Sequence, residues 1–165
     1  GVMNPVPFAV RDPLGAEYGP AVTDERHRAI FNGIWELRYG FQLSGLYFYG
    51  SGARFSTAYG GDVLDTGGTQ GADRARPASA GGGVVPRNDL VGKALHRVDL
   101  RLQKRFALRG RVTVDSLVEV FNLFNHENYG SYVTLESNAN YRRPTFNPAT
   151  AYQPRMLQLG FRFAF

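Results

Sequence analysis

The sequence predicts an all-β fold built on about five long antiparallel strands, and three observations lead there. Five segments of about ten residues alternate apolar with polar or small residues, the two-residue period of a strand. The connections around those segments run long, short, long, short, long. No run of about 18 apolar residues exists to form a membrane-spanning helix. The most apolar uncharged stretch, residues 39–53, is broken by Gly40, Gly45, Gly50 and Gly52 and by Gln42, Ser44 and Ser51. A strand escapes that test, because only every second residue need meet lipid.

Residues 1–25 are rich in Pro, Gly and acidic side chains and read as loop. The first strand is expected over 27–37, where Ala29, Phe31, Gly33, Trp35 and Leu37 alternate with a mixed second face. Arg38-Tyr39-Gly40 makes a short turn into a second strand over 41–52, paired with the first as a hairpin. A Gly-, Asp- and Arg-rich loop over 57–95 follows, with a composition unable to build a core. Its length of about forty residues is unusual for a compact domain.

A third strand is expected over 96–106, a second short turn at Ala107-Leu108-Arg109-Gly110, and a fourth strand over 111–123. Helical spacing also fits Leu90, Ala94, Leu95 and Val98, and Leu117, Phe121 and Phe124. The evenly spaced Val112, Val114, Val118 and Val120 favour strand in the second case. Another polar loop covers 125–153, and the fifth strand is expected over 155–165.

In that last strand Leu157, Leu159, Phe161, Phe163 and Phe165 alternate with Gln158, Gly160, Arg162 and Ala164. Its eleven residues, rising ~3.3 Å each and tilted ~40°, cover roughly 25 Å, the apolar height of an outer-membrane barrel. One face suits lipid and the other a wet lumen, although a half-buried strand of a soluble sheet alternates too. The aromatic ending resembles the signal by which the bacterial outer-membrane assembly machinery recognises barrels. With Phe165 on the periplasmic side, both short turns fall there as well. Trp35, Tyr39, Phe41, Phe106, Phe163 and Phe165 then gather as an interfacial girdle. Asp99, Arg101, Asp115, Glu119 and Arg162 take the polar faces, where a barrel would direct them into its lumen. Five strands cannot close a barrel, which needs at least about eight.

Three stretches carry a family resemblance: residues 24–28 (Asp-Glu-Arg-His-Arg), 99–106 (Asp-Leu-Arg-Leu-Gln-Lys-Arg-Phe) and 119–126 (Glu-Val-Phe-Asn-Leu-Phe-Asn-His). With Ser51-Gly52, Asp73-Arg74 and Pro154-Arg155 in the same order, they resemble the C-terminal barrel region of TonB-dependent outer-membrane receptors. The Oar-like group, with its carboxypeptidase-regulatory-like N-terminal domain, is the most similar. The resemblance covers the chain from about Tyr18 onward. It implies a barrel of about twenty-two strands around a plug, located in the cell outer membrane and importing a scarce nutrient with energy from the TonB complex. The plug, the TonB-contacting segment and the rest of the barrel are then expected outside these residues, as is the signal peptide that the opening Gly1-Val2-Met3-Asn4 does not provide. An independent soluble or cell-surface β-rich binding or adhesion domain is the other reading.

Chemistry of other kinds finds little support. The net charge is +5, carried mostly by arginine, and only Lys93 and Lys104 are lysines. The arginines form no basic run of the kind nucleic acid requires. The chain has no cysteine, which excludes disulfides and thiolate metal sites. His27, His96 and His126 lie far apart in sequence and read as loop or interface residues. Asp62, Asp65 and Asp73 lack the spacing of a calcium loop. Ser44, Ser51 and Ser116 sit in no nucleophile elbow, and Gly81-Gly82-Gly83 lacks the Lys-Ser/Thr of a phosphate loop. No catalytic residue, metal or cofactor is therefore expected.

Overall fold

The computed structural model describes residues 18–63, 74–145 and 153–165. Its strands are β1 (Arg28–Glu36), β2 (Phe41–Gly50), β3 (Arg54–Phe55), β4 (Leu90–Val91), β5 (Leu95–Ala107), β6 (Thr113–Phe121), β7 (Ser131–Tyr132), β8 (Pro144–Thr145) and β9 (Met156–Ala164). The chain divides into a strand unit, residues 26–51, 94–128 and 148–165, and a loop unit made of the remainder.

The strand unit is one antiparallel sheet in the order β1-β2-β5-β6-β9. Both stretches with helical spacing are extended: Leu95 and Val98 lie in β5, and Leu117 and Phe121 in β6. Continuous pairing fixes the register from Trp35↔Leu43 through Leu43↔Leu102 and Leu102↔Val118 to Val118↔Leu159. Because every second residue shares a face, this row and its neighbours carry one apolar face across all five strands.

The first turn is a single turn of 3-10 helix over Arg38–Gly40, with Tyr39 left-handed at φ 64°. The second turn begins one residue later than expected and ends later too. β5 runs on to Ala107, Val112 lies outside β6, and the Leu108 amide donates to the Val112 carbonyl. Both turns and the C-terminal end of β9 share one end of the sheet, since Phe41 pairs with Lys104 and Thr113 with Ala164. The outer edges of β1 and β9 have no ladder partner among the described residues.

The loop unit corrects the expectation that residues 57–95 build no core. β3 pairs with β4, β7 with β8, and single bridges join Ala58 to Leu135 and Ala75 to Val84. Val85 is 1% exposed, with Leu90 and Ala75 also buried. Polar side chains close the gaps that so few apolar residues leave. Asn88 accepts from the Ser56 hydroxyl and donates to the Pro20 carbonyl, while Arg54 donates to Asp24 and to the Asn88 carbonyl. The Thr57 hydroxyl donates to the Pro86 carbonyl. Gly52 brings the backbone within reach of Gly92: at φ +94° a Cβ there would stand 2.2 Å from the Gly92 carbonyl oxygen.

Candidate membrane-spanning surface

On the apolar face, Phe31, Trp35, Leu43, Leu102, Val118, Leu157, Leu159, Phe161 and Phe163 follow from the register. Those of β9 are each about two-thirds exposed, from 64% at Leu159 to 68% at Phe163. Phe165 lies just beyond β9 and is fully exposed. The Gly33–Gly45 pair leaves a gap in this surface, and the Trp35 ring covers it; a Cβ on Gly33 would stand 3.0 Å from the indole.

One cross-strand row interrupts the apolar face, where Lys104 pairs with Phe41 on one side and Ser116 on the other. The Lys104 ammonium lies over the rings of Phe41, at 4.3 Å, and Phe106, at 5.5 Å, and donates to the Tyr39 carbonyl. Its stem therefore runs along apolar surface while its charge reaches the turn, as a snorkelling lysine does at an interface.

Aromatic residues stand at both ends of this face. At the short-turn end are Trp35, Phe41, Phe106 and Phe163, with Tyr39 in the turn. At the other end Phe31 stacks on Tyr47 at 6.3 Å, and Tyr47 and Tyr49 both approach His96. The Tyr47 hydroxyl and His96 Nδ1 are 3.0 Å apart. The His96 and His126 rings meet at 5.0 Å, although the two residues lie far apart in sequence. Pairing of β5 with β6 closes the distance of thirty residues between them. No set of three metal-ligating side chains forms among the described residues. The sequence signal for this second belt is the alternation of Tyr47 and Tyr49.

The opposite face carries the charges. Arg105 makes a two-pronged contact with Asp115 at 2.7 and 3.1 Å, and Arg162 lies directly across from Asp115 in the ladder. Arg101 and Glu119 pair at 3.7 Å, and Arg97 pairs with Asp99 at 2.6 Å. Asp99 also accepts from the Asn122 amide, so one of its oxygens terminates the β6 strand. This wall is not uniformly polar: Ile30, Ile34, Leu46 and Phe48 share it on β1 and β2. A depression of about 280 Å³ lies where Ile34 and Leu46 meet Asp99, Arg101 and Glu119.

Three asparagines hold the end of the sheet remote from the short turns. Asn122, 2% exposed and left-handed at φ 50°, accepts from the His126 amide and donates to the carbonyls of His126 and Gln153. Asn125 accepts from the Arg155 amide, which fixes the entry to β9. Asn128 accepts from the His96 amide and donates to the His96 carbonyl, imitating a strand partner at the start of β5. Their spacing of three residues thus joins three segments through backbone groups that would otherwise be orphaned.

In the loop unit, Arg76 contacts Glu136 through two hydrogen bonds of 2.5 and 3.0 Å, and this bonding holds its guanidinium above its ordinary pKa. Lys93 lies over the Tyr129 ring, and its amide donates to the Tyr132 hydroxyl. Asp62 is exposed, while Asp65, Asp73 and residues 1–17 and 146–152 lie outside the described residues.

A sheet apolar on one face, ion-paired on the other, belted by aromatics at both ends and nine to thirteen residues deep is the wall of a membrane-spanning β-barrel. The chain belongs to the outer membrane beta barrel domain family, whose model matches residues 72–158, and its location is the outer membrane. No curated protein and no solved structure matches it.

Proposed function

We propose that this chain forms the C-terminal barrel wall of a TonB-dependent receptor that imports a scarce nutrient, most similar to the Oar-like group with a carboxypeptidase-regulatory-like domain. The observation that carries the reading is the ordered set of motifs at residues 24–28, 99–106 and 119–126. Two of these supply inner-wall charges and rim asparagines: Asp99, Arg101, Glu119, Asn122 and Asn125. The outer edges of β1 and β9, which have no ladder partner among the described residues, suit continuation into a larger barrel, of about twenty-two strands in that family. In this reading the mixed wall of Ile34, Leu46, Arg101 and Glu119 faces a plug, and the plug side of the molecule contacts TonB. The outer-membrane assembly machinery is the partner for insertion, with β9 as its recognition strand. The protein acts as a transporter and performs no catalysis.

The test compares strains lacking the gene, lacking TonB, or lacking both, on a panel of limiting nutrients. The reading predicts one nutrient for which all three fail alike. Normal gene-dependent uptake without TonB would overturn it.

A further inference from the structure

We propose that the short-turn end of the sheet is a binding site for the phosphate headgroups of anionic phospholipids. Four cations stand at that end: Arg38 in the first turn, Lys104 on the lipid-facing surface beside it, and Arg109 and Arg111 in the second turn. The first turn lies against the end of β5 that leads into the second, because a Cβ on Gly40 would stand 3.0 Å from the Arg105 carbonyl oxygen. The side chains of Arg38, Arg109 and Arg111 are exposed and make no hydrogen bond or ion pair among the described residues. The nearby acids are otherwise engaged on the opposite face, Glu36 by Gln42 and Asp115 by Arg105. Excess positive charge is therefore left at this end.

Aromatic side chains supply the second half of the site. Phe41 and Phe106 flank the Lys104 ammonium, which keeps donors in reserve after its bond to the Tyr39 carbonyl. Tyr39 is 83% exposed, and its left-handed backbone, unusual for a side chain of that size, leaves its ring outside the sheet. Rings at headgroup depth and cations just beyond them are the arrangement that meets acyl chain and phosphate together. Arginine can grip a phosphate through paired N–H groups, and a zwitterionic headgroup, whose own ammonium offsets the same phosphate, rewards these cations less than an anionic one. This inference rests on outer-membrane residence alone and is independent of any transported nutrient.

The test uses the folded barrel purified from outer membranes in detergent, with lipid adducts counted by native mass spectrometry. Phosphatidylglycerol should be retained in preference to phosphatidylcholine of the same chains. Combined Arg38→Gln, Arg109→Gln and Arg111→Gln should reduce that retention about a hundredfold, from about fivefold per charge near a lipid surface. The matching lysine substitutions should retain most of it. Should the triple glutamine variant fail to show a heat-modifiable fold, the single Arg109→Gln change, at an exposed turn position, carries the test with about a fivefold loss. Equal retention of both lipids, or unchanged retention in the folded glutamine variants, would overturn the proposal. So would displacement of phosphatidylglycerol by millimolar inorganic phosphate, which would mark a site for the free ion.

Discussion

The loop unit and the strand unit differ in where they put most of their large apolar side chains. In the loop unit Val85, Leu90 and Ala75 are inside, and charged pairs such as Arg76–Glu136 and Arg142–Asp89 lie outside them. In the strand unit Leu157, Leu159, Phe161 and Phe163 are outside, whereas Asp115, Asn122 and Asn128 are buried. A loop segment in water must close its own core, however small. The sheet leaves its apolar area for another solvent to cover. Transferring the four large β9 side chains from water is worth on the order of 5 kcal/mol, which rivals the net stability of a whole domain. The two units should therefore fail under different insults.

The largest expected effect is at the middle of β9. Leu159→Arg puts a charge at mid-strand on the lipid face and should cost about 2–4 kcal/mol of stability in liposomes, read from urea unfolding. Arg162→Gln, on the opposite face of the same strand, should change it by less than about 0.5 kcal/mol. Equal losses would erase the distinction between the faces. In the loop unit Gly52→Ala should cost about 2–3 kcal/mol, because the residue is held left-handed against the Gly92 carbonyl. Its mark should be faster amide exchange at residues 53–55 and 90–92 with the β5–β6 ladder still protected.

Asn122→Ala should sharpen the comparison from inside the strand unit. Removing a buried amide that serves His126 and Gln153 should cost about 1–2 kcal/mol. The loss should appear as faster exchange of the His126 amide, with the middle of the sheet unchanged. Smaller again, Arg76→Gln should lower loop-unit stability by about 0.5–1 kcal/mol. That difference should shrink at high salt, in a denaturant titration followed by loop proteolysis, because the pair is partly exposed to solvent.

The strand unit was legible because its chemistry repeats every two residues. Leu157 to Phe163, Val98 to Leu102 and Phe41 to Tyr49 each reveal a face without reference to any partner, and the short turns follow from what lies between. The ends were less so: β6 starts at Thr113 because the Val112 carbonyl is used to close the turn, a hydrogen bond that valine periodicity does not encode. The loop unit was opaque for a different reason. Its core is assembled from single residues such as Val85 and Leu90 and from Asn88 and Arg54 reaching across long separations, with no period to detect. His96 and His126 were missed as a pair because strand register, set far from either, brings them together. Of the candidate site residues, Arg101, Asp115 and Glu119 could be placed on one face from spacing; their partners, such as Arg105 for Asp115, required the register.

The claim on which the rest depends is that the two faces of β9 meet different surroundings. The chain has no cysteine, so single cysteines at positions 157 to 162 of the folded barrel in liposomes can be titrated with a membrane-impermeant maleimide. Cysteines replacing Gln158 and Arg162 should label readily through the aqueous interior. Those replacing Leu157, Leu159 and Phe161 should stay unlabelled until the bilayer is dissolved. Uniform labelling along the strand, or the reverse alternation, would contradict the assignment of this sheet as a barrel wall with its apolar face in lipid.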